Sequence, residues 1–191
     1  MNILGTNLSG WFIYQACVGW TVQWKTSLEA FPSNFEIGKQ LLFFMFVEDT
    51  LFHFMHRLFH SKHAWLPLYK LHKKHHEHLQ PLGMSAQYAH PIEHLISNFM
   101  PSFAGPCILG AKTHIHVVVL FGILRLYESL DGHSGYDFPW TVFRLIPFGG
   151  GPSYHYFHHT HNCGNYSSFT TIWDSILDSN KAYYEDKSKI D

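Results

Sequence analysis

The chain has 191 residues, a formal net charge of −1, 17% aromatic residues and only 14% charged residues. That length fits one domain, and a charge so near zero excludes a nucleic-acid role built on a basic field. Soluble domains carry about 25% charged residues, so a surface this poor in charge suits lipid. The three cysteines, Cys17, Cys107 and Cys163, show no CxxC spacing and indicate neither a disulfide framework nor a zinc ribbon.

Four apolar stretches follow one another along the chain. The first runs from Ile3 to Trp24 with no charge, so it lacks the basic start of a cleavable signal and reads as a membrane segment. A polar loop, Lys25 to Phe35, leads to the second, which begins near Ile37 and continues as a helix past Glu48 and Asp49 to about His60. The third, His94 to Ala111, is interrupted by Pro101 and Pro106, and the fourth runs from Thr113 to Leu124. A crossing helix needs about 20 apolar residues, and each stretch alone is marginal. Pairing them into two hairpins, turning at Lys25–Phe35 and Gly110–Thr113, returns all the polar segments to one side. Arg57, Lys62, Lys70, Lys73 and Lys74 lie between the hairpins and assign that side to the cytosol. After Arg125 the chain turns polar in character. Gly149-Gly150-Gly151-Pro152 forms a turn, Thr170–Leu177 a short amphipathic helix, and 179–191 a polar tail.

The expected architecture is therefore an all-α integral membrane protein. Four membrane helices form two hairpins, and a cytosolic helical cap carries a histidine-rich dimetal site. Within a single domain, 1–60 supplies the first hairpin and first histidine motif, and 61–91 the second motif. The second hairpin spans 92–130, the third motif segment 131–180, and a tail 181–191.

All 17 histidines lie between positions 53 and 161. They concentrate in His56-x-x-x-His60, His72-x-x-His75-His76 and His155-x-x-His158-His159. On a helix the first spacing sets two imidazoles within about 40° and the other two set three within about 100°. Asp49, His53, His56, His60 and His63 also share one helical stripe. Burying unpaired imidazoles is costly, and a metal relieves that cost. Eight clustered histidines exceed the four to six ligands of one ion, so two metals are expected; imidazole alone does not choose among iron, zinc, copper and nickel. His133, in Asp131-Gly132-His133-Ser134-Gly135, is a ninth candidate ligand. Asp49, His53, Glu77, His90, Glu93, His94, Glu128 and Asn165 are candidates to support the ligands from behind, with helix capping the alternative for His90 and His94. His114 and His116 fall at the tip of the second hairpin and are expected to be structural. His78 and His161 flank the clusters and read as exposed. The sequon at Asn165 adjoins the third cluster and is expected to be unused.

The runs EDTLFHFMHRLFH (48–60), LHKKHHE (71–77), AQYAHPIEHLI (86–96), ESLDGHSGYDFPW (128–140) and HYFHHTHNCGNY (155–166) together resemble the membrane fatty acid hydroxylase and sterol desaturase superfamily. AHPIEH and HSGYDFPW bring the resemblance closest to its C-4 methylsterol monooxygenases. It extends over roughly Phe35 to Asn180, in the family's order. The resemblance implies an endoplasmic-reticulum membrane enzyme with a cytosol-facing, non-haem di-iron site. His56 and His60, then His72, His75 and His76, then His155, His158 and His159 correspond to its three histidine boxes, and His133 to the histidine between the second hairpin and the third box. It further implies electrons from NAD(P)H through cytochrome b5 and its reductase, and a sterol whose C-4 methyl is oxidised stepwise to a carboxylate. Alternatives at the same site are another lipid hydroxylase or desaturase, on a fatty acyl chain or a sterol ring, and a non-catalytic metal-binding scaffold. Three positions depart from the pattern. Tyr156 stands where the third box usually has an aspartate, Leu177-Asp178 replaces a phenylalanine–glycine pair, and the N-terminal region is short.

Overall fold

A computed structural model describes residues 23–61 and 67–189; the apolar stretch ending at Trp24 lies almost wholly outside them, as do Lys62 and His63. Among the described residues the regular secondary structure is helical, apart from one isolated bridge that joins Lys25 to His114.

Helix α1, Asn34–His60, follows Pro32 and is started by Ser33, whose side chain accepts from Glu36 N (3.3 Å) in the Ser-x-x-Glu pattern of a capping box. Short helices α2, Leu68–His72, and α3, Pro91–Glu93, are followed by a π-helical stretch, His94–Phe99, and by α4, Met100–Leu109. Pro101 has no N–H for the carbonyl one turn back, and the backbone widens into the π turn just before it. Helix α5, Ile115–Gly132, returns antiparallel after the tight 110–113 link. The chain ends in α6, Gly151–His161, α7, Ile172–Ile176, and α8, Lys181–Lys187.

The expected tail is thus partly helical. Its aromatic face explains why: Tyr183 packs edge-on against Tyr154 and Phe157, and its hydroxyl meets Ser153 Oγ at 3.1 Å.

Helices α4 and α5 are joined by the 110–113 link, the position expected for the tip of the second hairpin. That tip is tied to the 25–33 loop, because Lys25 N donates to Thr113 O and Ile115 N to Lys25 O, both at 2.9 Å. His114 and His116 do belong to this scaffold: His114 caps α5, meets Ser27 O at 3.1 Å and packs with His116 against Phe31. The tip lies beside the start of α1, a whole helix away from His60.

Phe44, Val117, Phe121 and Phe169 form the apolar centre. Gly105 lets α4 approach α1 there, since a Cβ would sit 2.9 Å from Phe44 Cδ1 and 3.0 Å from its Cα. Gly105→Ala is expected to cost up to about 2 kcal/mol net. Overpacking of about 1–3 kcal/mol outweighs a helix-propensity gain of about 1 kcal/mol. A thermal melt checks it, and a raised midpoint would contradict the close approach.

Among the described residues no helix is both long and apolar enough to cross a membrane. The expectation of spanning helices meets a physical obstacle here. The 27-residue α1 carries Glu48 and Asp49 midway, and α5 carries Arg125, Glu128 and Asp131 in its second half. Glu48 and Glu128 meet Arg125 inside the protein, while Glu48 Oε2 is buried without a hydrogen-bond partner. Arg125 Nε donates to Glu48 Oε1 (2.5 Å) and Nη1 to Glu128 Oε2 (2.8 Å), with the guanidinium over the rings of Phe52 and Phe169.

Candidate metal centre

Two groups of histidine side chains converge between α1, α2, α5 and α6. His56, His60, His72, His76 and His158 form one, and His75, His133, His155 and His159 the other; within each, the ligand atoms lie within 4.8 Å of one another. These are the nine histidines expected as ligands. Each HxxHH motif divides between the groups, however, where a common centre for its three imidazoles was expected. The reason is angular. Residues four apart differ by about 40° on a helix, so His155 and His159 point together; the residue three along diverges by about 60° to the other side, which sends His158 away. His72 and His76 pair in the same way although the helix tightens to a 3₁₀ turn at His75–Glu77.

The nitrogen geometry is close. In the five-histidine group Nε2 atoms form a closed ring: His60 to His72 2.7 Å, His72 to His76 2.9 Å, His76 to His158 3.1 Å and His158 to His60 3.1 Å. In the four-histidine group His133 Nε2 lies 3.2, 2.9 and 3.2 Å from those of His75, His155 and His159. Nitrogens about 2.0–2.1 Å from one ion are about 2.9 Å apart when the bonds meet at right angles, and about 3.4 Å apart in a tetrahedron. The observed spacings of 2.7–3.2 Å are those of nitrogens that can share one ion.

Five of the opposite ring nitrogens are anchored, whereas Nδ1 of His76 and of His159 is buried without a hydrogen-bond partner. The Nδ1–H groups of His56, His75, His133 and His158 donate to the carbonyls of Tyr166 (3.0 Å), Tyr88 (3.2 Å), Ser129 (2.8 Å) and Gly164 (2.6 Å). A carbonyl can only accept, so each of these neutral rings turns a bare Nε2 lone pair inward. His72 Nδ1 is held by Glu93 Oε1 at 2.6 Å. Burial, reinforced by the neighbouring imidazoles, holds His72, His133, His155, His158 and His159 well below the usual histidine range; His76 falls to about 3 and, by burial above all, His75 to about 4. Lone pairs converging at 3 Å without protons between them repel, and a cation at the centre of each group removes that repulsion. The donor set therefore fits non-haem iron or another imidazole-binding transition metal.

The supporting residues are rearranged relative to expectation. Glu93 does back a histidine, and burial lifts its carboxyl to about 8. Asp49 instead accepts from Thr170 N (3.1 Å) and from Thr170 Oγ1, tying α1 to the last segment. Glu128 instead holds Arg125 and faces Ser168 Oγ at 3.5 Å. Glu77 accepts from the Tyr88 hydroxyl (2.7 Å), one residue removed from His75 through the Tyr88 carbonyl. Asn165 donates to Tyr154 O (2.9 Å) and is 1% exposed, which keeps its sequon out of reach. His53 is fully buried beside Ser167 Oγ (3.4 Å) and Asp174 Oδ1 (3.5 Å). His90 caps α3 by accepting from Ile92 N, while His94 lines a groove with Asn98 and Arg125. His78 rests against Tyr88 and His161 against Phe157. The backbone carbonyls of residues 88, 129, 164 and 166 were not foreseen.

A cleft with a cavity volume of about 60 Å³ runs from His56, His75 and His155 past Phe52 and Phe169 to Arg125. It joins the histidines to the apolar half of the molecule.

Residues 41–179 match the fatty acid hydroxylase family. A methylsterol monooxygenase of Aspergillus fumigatus is 41% identical over 153 residues, 78% of this chain and 50% of that protein. One from Arabidopsis thaliana is 41% identical over 155 residues, 80% of this chain and 51% of that protein. One from Gallus gallus is 43% identical over 155 residues, 75% and 47% respectively. The chain spans about half the length of the curated relatives it matches. No solved structure matches it.

Proposed function

The chain belongs to the fatty acid hydroxylase family, and from that premise we propose that it is a non-haem di-iron monooxygenase that oxidises the C-4 methyl group of sterol intermediates in sterol biosynthesis. The observation that carries the proposal is the pair of imidazole clusters whose Nε2 atoms stand at the spacing of nitrogens sharing one ion. The relatives from Aspergillus fumigatus, Arabidopsis thaliana and Gallus gallus are methylsterol monooxygenases.

His56, His60, His72, His76 and His158 would hold one iron, and His75, His133, His155 and His159 the other. Two irons supply the oxidising power that dioxygen needs to attack an unactivated C–H bond. The protein's own part is geometric. Anchored Nδ1 groups fix five of the imidazoles, those of His56, His72, His75, His133 and His158, and a cluster built of imidazoles alone leaves the centre more positive than an acid-rich site. Phe52, Phe169 and Ala86 give the cleft an apolar wall that admits a lipid and excludes bulk water.

In the proposed setting the hairpins enter the endoplasmic-reticulum membrane from the cytosolic face, with the histidine clusters facing the cytosol. Outward apolar side chains support this: Leu42 and Phe46 on α1, Ile108 on α4, and Val119 and Ile123 on α5 are all more than half exposed. The four-span arrangement, with 3–24 completing the first hairpin, belongs to the same proposal. Electrons would come from NAD(P)H through cytochrome b5 and its reductase, docking on the cytosolic side.

Microsomes containing the full chain test the reading. Given a 4-methyl sterol, they should form the 4-hydroxymethyl and 4-carboxy products, and His72→Ala should reduce the rate to background. Oxidation of a fatty acyl substrate in place of the sterol would move the function elsewhere in the family. Iron-free, inactive wild-type protein would leave only a scaffold.

A further inference from the structure

We propose that Asp174, which lies outside the nine histidines, is a positioning residue for the five-histidine group: it clamps the 164–167 turn whose carbonyls aim His56 and His158. The inference rests on the reading of that group as a metal site.

Asp174 sits in α7 with no exposed surface. Its two oxygens are each met by two donors. Oδ1 accepts from Tyr166 N (3.0 Å) and Ser179 Oγ (2.6 Å), and Oδ2 from Ser167 N (2.9 Å) and the Tyr154 hydroxyl (2.9 Å). His53 Nδ1 lies 3.5 Å from Oδ1. Two consecutive backbone amides of the turn are therefore pinned to one carboxylate.

The turn itself has an unusual backbone. Gly164 and Asn165 are both left-handed, at φ 62° and 52°. A Cβ on Gly164 would lie 2.1 Å from Ser179 O, so the chain passes in contact with the segment that follows Asp174. Asn165 N donates to that same carbonyl (3.1 Å), and Ser179 N donates back to Asp174 O (2.9 Å). Residues 174 and 179 thus form the floor on which the turn rests.

What the turn does for the metal group follows from its carbonyls. Gly164 O takes the Nδ1–H of His158 at 2.6 Å and Tyr166 O that of His56 at 3.0 Å. These two imidazoles come from different helices, α6 and α1, and the turn is the element that orients both. No contact runs from Asp174 or the 164–167 carbonyls to His75, His133, His155 or His159; those nitrogens are set by Tyr88, Ser129 and each other. Asp174 therefore serves one metal position and leaves the other alone.

Asparagine is the discriminating replacement. It keeps the shape of the side chain, but whichever way the amide turns, its NH₂ faces one backbone N–H, and a backbone amide cannot reverse to accept. The turn must then shift, and its carbonyls with it.

The experiment titrates the purified full chain with Co(II), following the absorption of the bound ion and the equivalents taken up. Wild type should take two. Asp174→Asn should keep one with unchanged affinity and weaken the other about 10- to 100-fold, the usual range for loss of an outer partner of a ligand, with unchanged helical circular dichroism. Two equivalents at wild-type affinity would overturn the proposal, as would equal weakening of both. Should Asp174→Asn fail to fold, Ser179→Ala removes only one donor to Oδ1 and should weaken one ion selectively; unchanged affinities there would also overturn it. Fewer than two equivalents in wild type would instead refute the two-metal reading, and the clamp with it.

Discussion

Alanine at His133 is expected to abolish turnover and to leave the chain with one bound metal in place of two. His133 Nε2 is the only nitrogen in its group within 3.2 Å of the other three as described, so its removal opens the group at the middle. Losing an outer partner of a ligand costs about 10- to 100-fold in metal affinity or activity, and losing a central ligand should exceed that. His133 is also the cap of α5, where both its backbone N and its Nδ1 donate to Ser129 O. A metal present at 100 times its dissociation constant stabilises the native state by about 2.7 kcal/mol, so the variant should melt earlier in the presence of iron. Iron analysis alongside sterol oxidation decides the matter. Two irons retained, or turnover within tenfold of wild type, would remove His133 from the centre.

The second large effect concerns stability. Arg125→Ala is expected to destabilise the fold by about 3–5 kcal/mol, the cost of leaving buried charges without their partner. Glu48 is 0% exposed and loses its 2.5 Å contact; Glu128 loses its 2.8 Å contact. The faces of Phe52 and Phe169 lose a cation as well. For a chain of this size the midpoint should fall by roughly 6–20 °C. Combining Arg125→Met with Glu48→Gln and Glu128→Gln should recover much of the loss, because no carboxylate is then stranded. If Arg125→Ala melted with wild type, the cluster would not be holding α1 to α5.

Eight of the nine clustered histidines were legible because their spacing is a local property, and His133, which has no such partner, was legible only as a single candidate in its glycine-flanked turn. His56/His60, His72/His76 and His155/His159 each stand four apart, and a helical turn alone brings such a pair to one side. The division of each HxxHH motif follows from the same geometry. The supporting residues were less legible. Asp49 lies one turn before His53 and shares its stripe, yet tertiary packing turns it onto Thr170, more than a hundred residues away. Glu93 differs because α3 is brought against α2, which no spacing within 91–96 reveals. The carbonyls of 88, 129, 164 and 166 leave no mark at all, since every residue has one. Only the Gly164-Asn165 pair hints at a left-handed turn. The helical stretches themselves were legible from apolar runs and breakers, but not the helix at Lys181–Lys187, where a single buried-face aromatic, Tyr183, does the packing.

His75 and His76 are neighbours in sequence and serve different groups, and so are His158 and His159. A peptide unit is rigid, so the two centres share a common frame at two separate places. The spacing between the two groups is thereby set by the backbone, whichever ion enters first. A replacement that shifts one of these shared peptide units would displace a ligand of each group, whereas one that acts through the carbonyls of 164 and 166 displaces ligands of a single group.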